Sequence, residues 1–517
     1  MTAVAARVAT LRMGVRPFER PDRLIRAMAA MAPYGMGLVG AIAGASARYP
    51  GAPAVVTPTE TLTYRDLWHR SGQLGTALQD HGITTGERIG LLARNDSFFV
   101  IAMLAGARVG ADVVLMNTAM AGPQLADVVE AESVRLLLHE DALEKQASSC
   151  AVETWSATQA LELASQVAHP ALQPQHPGEL IVLTSGTTGR PRGARRPTSG
   201  KRASSGAQTF AAALPWSVRK TAAIPAPFFH AWGLAGLIIA LSLSCTVVTR
   251  PVFDAEELLS DLDEHNPHLL VAVPIMLQRL VELPAASWIR HNPTRISGVL
   301  SSGSGVPAPV VRAIQDRLGP VLYNVYGSTE VAASTIARPA DLLRDPSTAG
   351  RPAPGVRVLI LDESGNKVSR GDVGQIHVGS SMTFGGYTSG ENRASVEGLV
   401  ATGDLGHWDE YGCLCIDGRA DDMIVSGGEN VYPVEVEELL MSHPEVVEAV
   451  VAGRPDPDFG QALVAWVALR TGSAVDAEAL RGHVRASLAS FKVPRRIEIV
   501  ESLPRNATGK ILRRELT

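Results

Sequence analysis

Ten consecutive positions, Thr184-Ser185-Gly186-Thr187-Thr188-Gly189-Arg190-Pro191-Arg192-Gly193, hold four hydroxyls, three glycines and two arginines. Glycine lets a backbone turn tightly and present its N–H groups. Hydroxyls add donors, and arginine offers a planar cation that matches phosphate oxygens. Such a loop can hold a polyphosphate. It is not the G-x-x-x-x-G-K-[ST] loop, because no lysine follows Gly189 or Gly193. A second run, Tyr323-Asn324-Val325-Tyr326-Gly327-Ser328-Thr329-Glu330, combines aromatic rings, hydroxyls and a carboxylate. A ring can stack on a purine, a hydroxyl can hold a phosphate oxygen, and a carboxylate can hold magnesium that phosphates also bind.

The elements that must position these groups follow from periodicity. Ile181-Val182-Leu183 reads as a buried strand leading into the loop. Upstream, Thr63 to His81 reads as helix, Arg88 to Leu92 as strand, Ser97 to Val109 as helix and Asp112 to Leu115 as strand. Strands alternating with helices imply parallel sheets covered on both faces, an α/β fold. Short β runs such as Val356 to Ile360 and Gln375 to Val378 imply a small β-rich subdomain from about Ala337 to Asp417. A compact α/β pattern returns after Asp421: helix Pro433 to Ser442, strands Val446 to Ala452 and Ala462 to Leu469, helix Ala477 to Leu488. The expected division is residues 1–420 and 421–517.

At 517 residues the chain is too long for one ordinary core. A net charge of −5 provides no basic field to gather nucleic acid. Four cysteines without a C-x-x-C or Cys/His cluster suggest neither zinc nor a disulfide framework, and a reducing, cytoplasmic setting is expected. The leading segment carries Arg7, Arg12 and Arg16 among apolar residues. Peripheral contact with a membrane surface, or docking on the protein itself, would suit it. Residues 231–249 are uncharged for long enough to span a bilayer. Ser242, Ser244 and the run Thr246-Val247-Val248-Thr249 argue instead for a buried helix turning into a buried strand.

The loop at 184–193 resembles the phosphate loop of the adenylate-forming superfamily: acyl-CoA synthetases, luciferases and peptide-synthetase adenylation domains. Arg192 stands where that family usually has lysine, so a forked guanidinium replaces a compact ammonium. Seven further segments match in order, and the resemblance covers nearly the whole chain. It implies a large N-terminal domain of two αβα-layered subdomains plus the β-rich subdomain, and a small mobile C-terminal domain. It implies ATP, Mg2+ and coenzyme A, with Thr184, Ser185, Gly186, Thr187, Thr188 and Gly189 at the phosphates. Gly303, Ser304 and Gly305, in Ser301-Ser302-Gly303-Ser304-Gly305, would lie beside adenine and the acyl group. Tyr326, with Gly327 beside it, would stack on adenine; Thr329 would hold a phosphate oxygen and Glu330 the magnesium. His230, in Pro227-Phe228-Phe229-His230-Ala231-Trp232-Gly233, would wall or gate the acyl pocket near the carboxylate. Asp404 matches the ribose carboxylate, Arg419 the arginine reaching the nucleotide, and Asp421 the hinge. Ser426, Gly427 and Gly428 match the segment lining the pantetheine tunnel. Lys510, in Pro504-Arg505-Asn506-Ala507-Thr508-Gly509-Lys510, matches the catalytic lysine.

The implied reaction has two steps. A carboxylate attacks the α-phosphorus of ATP and pyrophosphate leaves; the thiol of coenzyme A then attacks the acyl carbon and AMP departs. Gly385-Gly386-Tyr387-Thr388 and Val425-Ser426-Gly427-Gly428-Glu429-Asn430 resemble actinobacterial long-chain fatty acyl-CoA ligases, and an Ala/Gly/Leu-rich stretch at 231–243 suits an apolar tunnel. The expected substrate is therefore a medium- or long-chain fatty acid. The alternatives are a fatty acyl-AMP ligase loading a carrier protein and a ligase for an aryl or short-chain acid. A homodimer is compatible with all of them.

Overall fold

Thr63 starts the helix Tyr64–Asp80 with a reciprocal cap: its hydroxyl accepts from Asp66 N–H, and the Asp66 carboxylate accepts from Thr63 N–H at 3.0 Å. Asp96 caps the next helix, Ser97–Val109, by accepting from Phe99 N–H at 2.9 Å, and Gly110 closes it at φ +86°. That helix is apolar on every side and buried on every side. Burial also pushes the Asp96 carboxyl up to about 6.

The structure, a computed structural model, describes residues 21–35, 37–167, 177–184, 192–195, 210–293, 295–383, 386–388, 395–420, 422–426, 429–456, 460–506 and 509–516. Ser185, Gly186, Thr187, Thr188, Gly189, Asp421, Gly427, Gly428 and the arginines of the leading segment lie outside these residues.

The described strands form four sheets. One holds Glu153–Ser156, Val134–His139, Arg88–Leu92, Asp112–Leu115 and Leu180–Thr184, all parallel, with Arg192–Arg195 antiparallel at its edge. A larger one runs in the order Arg351–Pro352, Ala332–Ala337, Leu322–Ser328, Gly298–Ser302, Leu269–Ala272, Thr221–Ala223, Thr246–Val248, Pro53–Val56, Thr61–Thr63. Its central strands are parallel and apolar, with helices against them, as buried parallel sheets require. One continuous apolar core joins these two layers. The fold is mixed α/β, with a large N-terminal domain and a small C-terminal one.

The β-rich sheet comprises Arg357–Leu361, Gly374–Gly379, Ser395–Val396, Leu399–Trp408 and Leu414–Arg419. It starts later than the β texture suggests. Ala332–Ala337 turns back on Leu322–Ser328 and extends the large sheet, and Pro339–Arg344 is helical. The last sheet pairs Val446–Asp456 with Gly460–Leu469 around a core of its own, covered by the helices Pro433–Met441 and Ala477–Ser487.

Residues 231–249 form the helix Ala231–Ser242 followed by the strand Thr246–Val248. Among the described residues no helix is long and apolar enough to cross a membrane. All four cysteines are free.

Candidate active site

The strands Leu269–Ala272, Gly298–Ser302 and Leu322–Ser328 run parallel, so their carboxyl ends share one edge. In open α/β sheets that edge is where ligands settle. Gly303 turns away there at φ +104°, where an added Cβ would meet only Val273 Cγ1 at 3.9 Å. At Gly305 a Cβ would meet nothing within 4 Å, and Gly303, Ser304 and Gly305 are all exposed. Behind them, Ser301 and Asn324 face each other across the strand pair. Ser301 Oγ and Asn324 Oδ1 are buried and have no protein hydrogen-bond partner among the described residues. Buried polar atoms are rarely left so, which suits an edge built for a polar, flat ligand.

Tyr326, Asp404 and Arg419 are brought together. Asp404 and Arg419 are register partners on adjacent antiparallel strands. Arg419 Nη1 lies 3.1 Å from Asp404 Oδ1, and Tyr326 O–H donates to Asp404 Oδ2 at 2.5 Å. Burial and the neighbouring carboxylate push the Tyr326 phenol well above its ordinary value, so it stays a donor. Gly327, next in the strand and just before the turn at 329–331, is needed there, since a Cβ would lie 1.9 Å from Ala332 O. Ala332 itself sits at φ +58°.

Thr329 is half-buried and Glu330 buried in that turn. One Glu330 oxygen accepts from Tyr387 O–H at 2.7 Å and the other from Ser328 O–H at 2.7 Å. The carboxylate is therefore held from both ends. Tyr387 belongs to a stretch that sequence reading ties to chain-length likeness, and its contact with Glu330 carries no sequence signal.

Thr184 and Arg192 are register partners on the strands flanking the phosphate loop, and Gly193 faces Leu183. The carboxylate of Glu132 accepts from Gly193 N–H at 3.1 Å and from Thr388 O–H at 2.8 Å. Neither Glu132 nor Asn95 stands out in the sequence. Asn95 Nδ2 donates to Ala226 O at 2.9 Å, and its Oδ1 accepts from Phe228 N–H at 2.8 Å. It pins the start of the His230 segment to the first sheet's side of the core.

His230 precedes the helix Ala231–Ser242. Its Nε2 is buried with no hydrogen-bond partner among the described residues, and burial pulls its pKa down to about 4. It is a neutral ring at physiological pH. The small residues that follow do not widen a tunnel on the sheet side. A Cβ at Gly233 would lie 2.2 Å from Pro227 O, and one at Gly236 3.1 Å from Val271 Cγ1. They let helix and sheet pack closely.

Ser426 is buried at the end of the strand Ile424–Ser426, opposite Gly460. Lys510 is exposed on a turn closed by Lys510 N–H donating to Asn506 Oδ1 and Asn506 N–H donating to Lys510 O, each 2.9 Å. Gly509 sits at φ +79° against the large domain, where a Cβ would lie 2.2 Å from Ile275 Cγ2. Ile275 follows the carboxyl end of the strand Leu269–Ala272 by three residues.

Residues 42–388 match the AMP-binding enzyme family, and residues 435–510 match the AMP-binding enzyme C-terminal domain. The chain belongs to the AMP-binding enzyme family. This AMP-binding enzyme is 31% identical over 491 residues to an indoleacetate–CoA ligase of Aromatoleum aromaticum, covering 89% of the chain and 94% of the relative. It is 30% identical over 493 residues to a fatty acid–[acyl-carrier-protein] ligase of Streptomyces coeruleorubidus, covering 90% and 93%. Its fold matches o-succinylbenzoate CoA synthetase from Bacillus subtilis, solved with the acyl-adenylate intermediate. The TM-score is 0.81 and the identity 27%, with 92% of this chain and 97% of the other covered. The expected likeness to long-chain fatty acyl-CoA ligases is not what these relatives carry. ATP-dependent activation of a carboxylic acid and its ligation to coenzyme A is the chemistry of this class, with ATP, Mg2+ and coenzyme A as its components.

The residues present fit that set. The open edge at Gly303 to Gly305 and the orphan atoms of Ser301 and Asn324 suit a purine. Among the described residues no group of three or more His, Cys, Asp or Glu is gathered for a metal. A lone, fixed carboxylate such as Glu330 suits magnesium, which takes one or two carboxylates and fills its shell with phosphates and water.

Proposed function

We propose that this AMP-binding enzyme activates an aryl carboxylic acid as its adenylate and passes the acyl group to coenzyme A. The observation that carries the adenylation half is the seat of Gly509 on Ile275. It supports a resting arrangement in which the turn bearing Lys510 lies near the carboxyl ends of the central strands.

The roles follow from the partners. Asp404, oriented by Tyr326 and Arg419, accepts from the ribose hydroxyls. Tyr326 presents its ring to adenine while its hydroxyl holds Asp404 still. Glu330 would hold magnesium, which offsets charge on the phosphates. The hydroxyls and N–H groups of 184–189 with Arg192 receive the departing pyrophosphate, and Thr329 adds one more hydroxyl. Lys510 stabilises the oxygens at which charge builds as the substrate carboxylate bonds to the α-phosphorus. Ser426, Gly427 and Gly428 line the approach of the thiol, which attacks the acyl carbon and displaces AMP. The chain divides at 420/421, and rotation about Asp421 exchanges the two half-reactions.

The aryl acid is favoured over the fatty acid by the indoleacetate and succinylbenzoate relatives. Flat, fixed walls agree with it. Trp232 Nε1–H donates to Ala272 O at 3.1 Å, and Phe229 packs on His230 with ring centroids 5.0 Å apart. The Streptomyces relative supports a second reading, a fatty acid passed to a carrier protein.

ATP–pyrophosphate exchange across a panel of acids, with and without coenzyme A, tests this. Exchange is expected to be fastest with arylacetates or substituted benzoates, and thioester to form when coenzyme A is added. Preference for dodecanoate or palmitate would refute the aryl assignment. Adenylate that accumulates beside unused coenzyme A would favour the carrier reading.

A further inference from the structure

Glu132 closes a helix distant in sequence from every motif, yet the residue is only 4% exposed, beside Gly193 at the base of the phosphate loop. It has three kinds of partner. Arg88 Nη1 donates to Oε2 at 2.9 Å, Gly193 N–H donates to Oε1 at 3.1 Å, and Thr388 O–H donates to the same Oε1 at 2.8 Å. Thr388 N–H also donates to Gly193 O at 2.8 Å, and Ala194 bridges Tyr387. Tyr387, the residue before Thr388, donates its hydroxyl to Glu330. A continuous set of bonds thus runs from Arg88 through Glu132 to the loop's return strand, and on to the carboxylate of Glu330. The set is built around a glycine. A Cβ at Gly193 would lie 2.6 Å from Glu132 Oε1 and 2.8 Å from Thr388 Oγ1.

We propose that Glu132 and Tyr387 are positioning residues for magnesium-bound ATP: Glu132 locks the phosphate loop's return strand to the 387–388 segment, and Tyr387 carries that register to Glu330. The inference rests on the adenylation reading of the site. Partners one step behind a ligand set its orientation, and losing them typically costs about 10- to 100-fold in affinity.

Glu132→Gln keeps the shape but makes one end a donor. Whichever way the amide turns, its NH2 faces either the Arg88 guanidinium or the N–H and O–H pair of Gly193 and Thr388. Tyr387→Phe removes the hydroxyl bond to Glu330, and Thr388→Val the hydroxyl bonds to Glu132 and Gly193 O, while the fold's core is left untouched. The measurement is calorimetric titration of magnesium–ATP into the whole protein without acid, beside kcat and KM and a thermal melt. Each variant is expected to raise the magnesium–ATP Kd, by about tenfold or more for Glu132→Gln, with the KM values for acid and coenzyme A unchanged. A lowered melt with an unchanged Kd would make these residues merely structural and overturn the proposal. If Glu132→Gln fails to fold, parent-like Kd values in Tyr387→Phe and Thr388→Val overturn it equally. A parent that does not bind magnesium–ATP would sink both this inference and the adenylation reading, whereas a binding parent with indifferent variants sinks this inference alone.

Discussion

Asn95 offers the clearest test of how the acyl segment is held. Its side chain is 4% exposed and spans two elements that are distant in sequence. Asn95→Ala strands the Phe228 N–H and the Ala226 carbonyl in a dry site, where each orphan costs about 1–3 kcal/mol. A loss of about 3 kcal/mol is expected in urea unfolding at pH 8, with a raised KM for the acid because residues 225–230 lose their anchor. Asn95→Asp sharpens the argument. It keeps the acceptor for Phe228 N–H but turns the donor into an oxygen facing the carbonyls of Ile224, Pro225 and Ala226 at 3.3, 3.4 and 2.9 Å. Only the protonated acid can donate to them, so its folded-state pKa must lie above the unfolded value of about 3.9. Stability is then fully present below about pH 4 and is lost as pH rises through the folded pKa. The difference in stability between Asn95→Asp and the parent should therefore grow from pH 5 to pH 8. A pH-independent difference, or an Asn95→Ala cost below about 1 kcal/mol, would refute the clamp.

Lys510→Ala should slow pyrophosphate exchange about 10²- to 10³-fold, by analogy with the loss of one charge-stabilising donor; exchange at the parental rate would remove Lys510 from the chemistry. Arg192→Lys should keep or improve activity, and a large fall would mean the guanidinium fork is itself required. Gly509→Ala puts a Cβ 2.2 Å from Ile275 Cγ2 and strains a φ of +79°, so exchange should fall while the melt stays near the parent's. Ile275→Ala in the same chain should restore part of it, and no recovery would argue against the seat. His230 has a folded pKa near 4, below the unfolded value of about 6.5, so its neutral form is favoured by folding. Stability is lost as pH falls from 6.5 toward 4, about 2 kcal/mol of it by pH 5, and His230→Asn should remove that share of the parent's pH dependence.

The elements that position the site were legible where local signals agreed. The helix after Thr63, the strand Arg88–Leu92, the apolar helix Ser97–Val109 and the strand Asp112–Leu115 all stand where periodicity puts them. The buried helix and strand within 231–249 also agree. The start of the β-rich sheet was placed too early at about Ala337, because Pro339–Arg344 is helical and Arg351–Pro352 pairs with the larger sheet before Arg357 begins the β-rich one. Within the site, Tyr326, Asp404 and Arg419, named from separate motifs, meet in one cluster. The groups that hold such motifs in place were invisible. Glu132 reaches partners 61 and 256 residues away, and Asn95 reaches one 133 residues away. Nothing in a single sequence marks a buried Glu or Asn before the fold brings its donors to it.

The identity of the acid was not legible, for a related reason. Groups that handle phosphate work through a few directional bonds, so their residue types and spacing survive as readable motifs. The groups that select the acyl chain act by filling space, and one methylene in an apolar pocket changes discrimination by only about 1–3 kcal/mol. Any of several apolar residues can supply that. The run at 231–243 was read as tunnel lining because its residues are small, yet Gly233 and Gly236 are small because carbonyls and Val271 crowd them. Smallness used for packing cannot also be counted as room for a chain. Trp232, held through its indole N–H to Ala272 O, and the neighbouring rings of Phe229 and His230 are broad, flat and fixed. Trimming Trp232 should therefore shift the balance of rates toward longer flexible acids, without touching the bonds that hold the nucleotide.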